Sequence, residues 1–230
     1  MKRGLFVWMA AALFVACDEG TTRPPMPLDD VEWVAVPFAP DEVINVAVLE
    51  PEGPPVGAIV AFPWGTGVSE LVLSLMDSYW DQAAIAAGYV VLGVEAWGPG
   101  LETLAPEVVP DIVAFIDTRY PTASSNITMT GASNGGEGVF YAALSVPTRV
   151  GGIIAMPGAY IKDPDNLTAL AGVPTLLMVG ELDTPWLGPS QNTLTLLEDA
   201  GVPATLDIIS NQDHVLTIPQ QDLVDWIEAN

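Results

Sequence analysis

Short, uninterrupted apolar runs recur along this chain between amphipathic stretches, and they narrow its possible folds more than any other feature. "VGAIVAF" (56–62), "YVVLGVEA" (89–96), "NITMTGAS" (126–133), "VGGIIAMPG" (150–158) and "VPTLLMVGE" (173–181) are too short for long helices and show little alternation. Such runs mark strands buried on both faces, which is the condition of a parallel sheet covered by helices. The segments between them supply those helices. "YWDQAAIAAGY" (79–89) reads as a helix closed by Gly88, and "APEVVPDIVAFIDTRY" (105–120), "GVFYAAL" (138–144) and "PSQNTLTLLEDAG" (189–201) read likewise. "IPQQDLVDWIEA" (218–229) is a closing helix with Pro219 in its first turn. Ahead of these, "EWVAVPF" and "INVAVLE" alternate with period two, and "ATLDIIS" is a last strand. The expected class is α/β, a mostly parallel sheet with helices on both faces. In that class, binding residues gather on loops at the carboxyl ends of strands.

The chain divides by composition. Lys2 and Arg3 precede an apolar run from Gly4 to Ala16, too short to span a bilayer and ordered like a secretory signal. The run ends in "FVAC", which resembles a bacterial lipobox whose cysteine is lipid-modified, although Phe14 stands where leucine is usual. Residues 1–16 are thus expected to be a lipoprotein signal peptide, and Cys17, the sole cysteine, the site of lipidation. "DEGTTRPPMPLDD" makes residues 17–30 a tether, leaving 31–230 as one domain. The expected location is the cell envelope, on a membrane face outside the cytoplasm. The formal net charge is −23, and loss of Lys2 and Arg3 with the signal takes it to −25. Such a surface repels phosphate backbones, which excludes nucleic acid as a partner.

Three chemistry-bearing residues stand at strand ends. After "NITMT" comes Gly131-Ala132-Ser133-Asn134-Gly135, a G-x-S-x-G pentapeptide between a strand and a helix. Glycines flank the serine because the turn is tight, and the turn lifts the hydroxyl above the sheet. It also sets the Asn134 N–H at a helix N-terminus, where it can hold an oxyanion. A serine hydroxyl needs a base, and the chain has one histidine, His214, in the loop after "ATLDIIS". Asp183 follows "TLLMV" and is preferred to its rivals Glu181, which lies nearer the strand, and Asp213, which is adjacent to the histidine. In the roles that follow, Ser133 attacks, His214 carries the proton, and Asp183 orients the imidazole.

These residues and their surroundings resemble the α/β-hydrolases. "GASNGG" is similar to the serine elbow of polyhydroxybutyrate-depolymerase-like esterases, "AAIAAGYVVLGVEAWGPG" to the helix and strand before it, and "GVPTLLMVGELDTPW" to their acid strand. The resemblance extends from about residue 40 to the end and also takes in dienelactone-hydrolase-like proteins, with serine here in place of their cysteine. It implies a serine hydrolase cleaving carboxylic esters through an acyl-enzyme. A peptidase or amidase of the same fold, and a non-catalytic binding lipoprotein, are the alternatives. The family usually has His-Gly after the third strand, where this chain has "AFPWGTG". Pro63 has no N–H to offer, so the second oxyanion donor falls to Trp64, Gly65 or Thr66, and position matches Gly65.

Only "AYIKDPDNLTALAG" separates the two strands between which such proteins insert a cap, so no cap domain is expected and the site should be open to bulky or polymeric esters. Trp64, Trp97 and Trp186 fall in loops at the expected rim and form a candidate aromatic platform for substrate. Trp226 reads as core, while Glu95 and Glu137 read as solvated rim charge. No metal-ligand spacing or nucleotide loop is visible, so the chemistry calls for no cofactor, only water.

Overall fold

The computed structural model describes residues 31–96 and 98–230. The expected signal peptide, Cys17, the tether and Trp97 lie outside the described residues. Eight strands form one sheet: β1 (Glu32–Ala39), β2 (Glu42–Leu49), β3 (Gly57–Phe62), β4 (Tyr89–Val94), β5 (Ile127–Gly131), β6 (Val150–Ala155), β7 (Thr175–Gly180) and β8 (Ala204–Ile209). Their order is β1-β2-β4-β3-β5-β6-β7-β8. β2 runs antiparallel to both its neighbours, and every other pairing is parallel.

The continuous apolar runs are explained by what covers each face. Along β3, Ala58, Val60 and Phe62 pack in one buried cluster while Ile59 and Ala61 pack in the other. Along β4, Val90, Leu92 and Val94 join the first and Val91 the second. Period two therefore persists, but both phases are apolar because both sides are covered. The first face holds α3 (Gly98–Arg119), α4 (Asn134–Ser145) and α5 (Thr184–Asp199). The second holds α1 (Ser69–Tyr79), α2 (Ala83–Ala86) and α6 (Gln220–Ala229).

Helix bounds differ from the sequence reading: α4 begins at Asn134 rather than Gly138, α5 begins at Thr184 rather than Pro189, and three segments change more. The main helix before β4 is α1, one segment earlier than expected, and it buries Val72, Leu75, Met76 and Tyr79 at helical spacing. The expected 79–89 helix shrinks to the single turn of α2, after which Gly88 takes φ +88° and its N–H bonds to the Ile85 carbonyl. α3 begins seven residues before the expected Ala105 and runs through Pro106 and Pro110. Each proline removes a helix donor, but Leu101, Ala105, Val108, Val109, Ile112 and Ile116 are fully buried along one side. That packing outweighs the local penalty. Pro219 sits at the N-cap of α6, just outside its first turn.

Candidate active site

β5 ends in a turn that only glycines can build. A Cβ on Gly131 would lie 2.1 Å from the Gly135 carbonyl oxygen, one on Gly135 2.1 Å from that of Phe62, and one on Gly136 2.0 Å from that of Pro157. These are backbone atoms, so nothing can yield. Between them Ser133 is held at φ +55° and ψ −117°, a conformation that costs a non-glycine residue about 1–3 kcal/mol. The strain is fixed from both sides: the Ser133 N–H bonds to the Pro157 carbonyl at 2.9 Å, and the Ser133 carbonyl accepts from Glu137 N–H at 3.0 Å.

The other two side chains arrive from β7 and β8. A Cβ on Gly180, the last residue of β7, would come within 2.3 Å of the Asp213 carbonyl oxygen. This close approach brings the residues after β7 against the histidine loop, and Leu182 N–H bonds to the Gln212 carbonyl at 2.9 Å. Asp183 takes the N-cap position of α5, where an aspartate ordinarily accepts from helix N–H groups. Its side chain makes no such bond. It lies 2.7 Å from His214 Nδ1 instead, and the carboxylate is buried, 2% exposed. An acceptor-only carboxylate there places the proton on Nδ1 and leaves Nε2 to accept from the Ser133 hydroxyl, 2.9 Å away.

The two rivals for the acid position are engaged elsewhere. Glu181 accepts from Asn211 N–H, and Asp213 accepts from the backbone N–H of His214 rather than its ring. Asn134 contributes an unexpected contact. Its side-chain amide donates to the Gly65 carbonyl at 2.9 Å, which fastens the turn after β5 to the loop after β3. Its backbone N–H opens α4, where the first N–H groups have no partner within the helix. Gly65 adopts φ +64° and lines the pocket beside the serine.

That pocket has a volume of about 260 Å³ and opens at Ser133 and His214. Trp64 forms part of its wall, whereas Trp186 stands against the imidazole with ring centroids 5.6 Å apart. Trp226 is half-buried against Gly152, as expected of a core edge. Glu95 and Glu137 are not free solvated charges. Glu95 accepts from Asn45 Nδ2 and Ser69 Oγ, each at 2.7 Å, and Glu137 accepts from the Tyr141 hydroxyl. Both are structural acceptors for neighbouring polar groups. Sequence reasoning missed Tyr79 and Met156, which are buried and line the pocket. Both come from apolar segments with no chemical signature. Among the described residues, no three His, Cys, Asp or Glu side chains converge as metal ligands.

No family model and no curated protein sequence matches this chain. Solved structures do. A thermostable esterase matches with a TM-score of 0.71 and 16% identity over 87% of this chain, which spans 63% of that protein. An acetyl xylan esterase from Aspergillus awamori matches at 0.70 with 13% identity, covering 87% of this chain and 99% of that one. A dienelactone hydrolase from Anabaena variabilis matches at 0.61 with 21% identity, covering 87% and 95%. Peptidases are among the matches too. At these identities the likeness defines the fold, and the fold is that of the α/β-hydrolases.

Proposed function

We propose that this protein is a serine hydrolase that cleaves carboxylic esters through an acyl-enzyme. The observation that carries the reading is the unbroken line from Asp183 Oδ2 to His214 Nδ1 (2.7 Å) and from His214 Nε2 to Ser133 Oγ (2.9 Å), opening into a pocket. Ser133 Oγ attacks the ester carbonyl as His214 Nε2 takes its proton. Asp183 stabilises the imidazolium. The charge that develops on the carbonyl oxygen is received by the Asn134 N–H at the start of α4, with the Gly65 segment as the second donor. His214 then gives its proton to the leaving alkoxide, and water repeats the sequence to release the acid. The α/β-hydrolase fold and esterases among its structural neighbours support the ester as substrate. The same three groups also act on amides in principle, and an amide substrate series tests that second reading.

Replacement of Ser133 by Ala is expected to lower hydrolysis of p-nitrophenyl butyrate ~10⁴-fold or more, with the thermal transition kept. Equal rates in the two proteins would sink the assignment. The strongly acidic composition disfavours anionic substrates and nucleic acid. The lipobox-like "FVAC" supports export and anchoring to a membrane face through Cys17. Incorporation of a fatty-acid analogue into the full chain, abolished by Cys17→Ala, tests that part separately.

A further inference from the structure

The pocket beside Ser133 sets an upper size on one half of the substrate. The bulkiest buried side chains of its lining are Tyr79, the last residue of α1, and Met156, just beyond β6, which are 3% and 1% exposed. Tyr79 is fixed in place because its hydroxyl donates to the Leu216 carbonyl at 2.8 Å. Burial pushes that hydroxyl's pKa up to about 12, so it remains a donor throughout the working range. The ring is thus a fixed part of the wall rather than a swinging gate. The lining includes no aspartate, glutamate, lysine or arginine, so no fixed charge there pairs with a charged group.

Volume gives the scale. A cavity of about 150 Å³ accepts one benzene ring, and this pocket has about 260 Å³. On that basis it takes a single ring or a linear chain of about six to eight carbons. Val215, which lines the pocket beside His214, is 78% exposed, so the pocket is open to solvent on that side. The two halves of an ester therefore meet different surroundings.

We propose that this pocket is the acyl site, that it selects uncharged acyl groups of short to medium length, and that Tyr79 and Met156 set the cut-off. The alcohol half lies outward and can be large. This rests on the hydrolase reading above and narrows it: bulky or polymeric character is accepted on the alcohol side, not on the acyl side.

The test is the chain-length profile of p-nitrophenyl esters, acetate to dodecanoate, on the full-length protein. Each methylene buried is worth a factor of about four in kcat/KM, so the profile should climb and then break at about six to eight carbons. Tyr79→Leu and Met156→Ala should each move the break to longer chains, measured relative to that variant's own best ester. Tyr79→Phe keeps the ring and its packing but loses the bond to Leu216, so its break should move less than that of Tyr79→Leu. A wild-type profile that climbs through dodecanoate overturns the proposal without needing any variant. So does an unmoved break in Tyr79→Leu or Met156→Ala, in a protein that still melts cooperatively and still labels with a small fluorophosphonate. If no ester of any length is turned over and Ser133 stays unlabelled, the hydrolase reading itself fails, and this one with it.

Discussion

The serine turn and the histidine loop hold their residues by different means. At the turn, residues 131–136 are located by backbone crowding: three glycines touch carbonyl groups so closely that no other residue fits. At the loop, residues 210–219 meet such crowding at one point, where Gly180 presses on the Gln212 and Asp213 carbonyls, and are otherwise held by side chains from several elements. The Gln212 amide both accepts from Thr217 N–H (2.7 Å) and donates to the Thr217 carbonyl (3.0 Å), clipping the base of the loop. Tyr79 reaches in from α1 to Leu216, and Gln220 bonds to Gln82 N–H, Ala83 N–H, the Asp77 carbonyl and Asp81. A nucleophile that attacks a carbon must be rigid in three dimensions. A base that moves a proton between two partners has to keep its ring poised, and a few directed bonds achieve this.

If that contrast is right, damage to the two regions should differ in size and in kind. The largest effect is expected for Gly135→Ala, whose Cβ would strike the Phe62 carbonyl. A loss of about 3 kcal/mol or more in denaturant unfolding is expected, because neither backbone can yield. Next comes Gln212→Ala, which removes two hydrogen bonds at a half-buried site. It should cost only about 1 kcal/mol of stability but lower kcat roughly tenfold, with KM nearly unchanged, because His214 loses its alignment. Gly172→Ala separates space from conformation. Gly172 has φ +84° with nothing within 4 Å of an added Cβ, so the expected loss is about 1 kcal/mol with no change in kcat.

The smallest effect is expected far from both regions. Arg149 bonds to Asp117, and that hydrogen bond holds the carboxylate below its ordinary range. A depressed folded-state pKa stabilises above the unfolded value and is lost as pH falls through the folded one. Asp117→Asn should therefore destabilise by a few tenths of a kcal/mol at neutral pH, and not at all once the native carboxyl is protonated. Melting curves across the acid range check both halves of that statement.

The same contrast explains which parts could be read in the sequence. The turn shows in the letters because crowding demands glycine at defined spacing from Ser133. β3 to β7 show because two covered faces force apolar residues in both phases. Asp183 and His214 were placeable because each stands in the loop that follows a strand. What did not show depends on distance along the chain. Tyr79 as part of the pocket wall and Asn134 as a tie to Gly65 acquire meaning only when segments far apart meet. α1 was overlooked although Val72, Leu75, Met76 and Tyr79 carry a helical spacing, because the alanines of 83–87 offered a stronger local propensity. The prolines of α3 similarly marked a start that packing then moved. Glu95 looked like idle rim charge because its partners Asn45 and Ser69 are 50 and 26 residues away.

The central claim is that Ser133 becomes acylated, and rapid-quench mass spectrometry after mixing the protein with p-nitrophenyl butyrate reads this directly. The expected result is one butyryl group on the peptide containing Ser133, formed and lost within turnover and absent in His214→Gln on the same timescale. Turnover with no acyl group on Ser133, or with the group on another residue, would contradict the account.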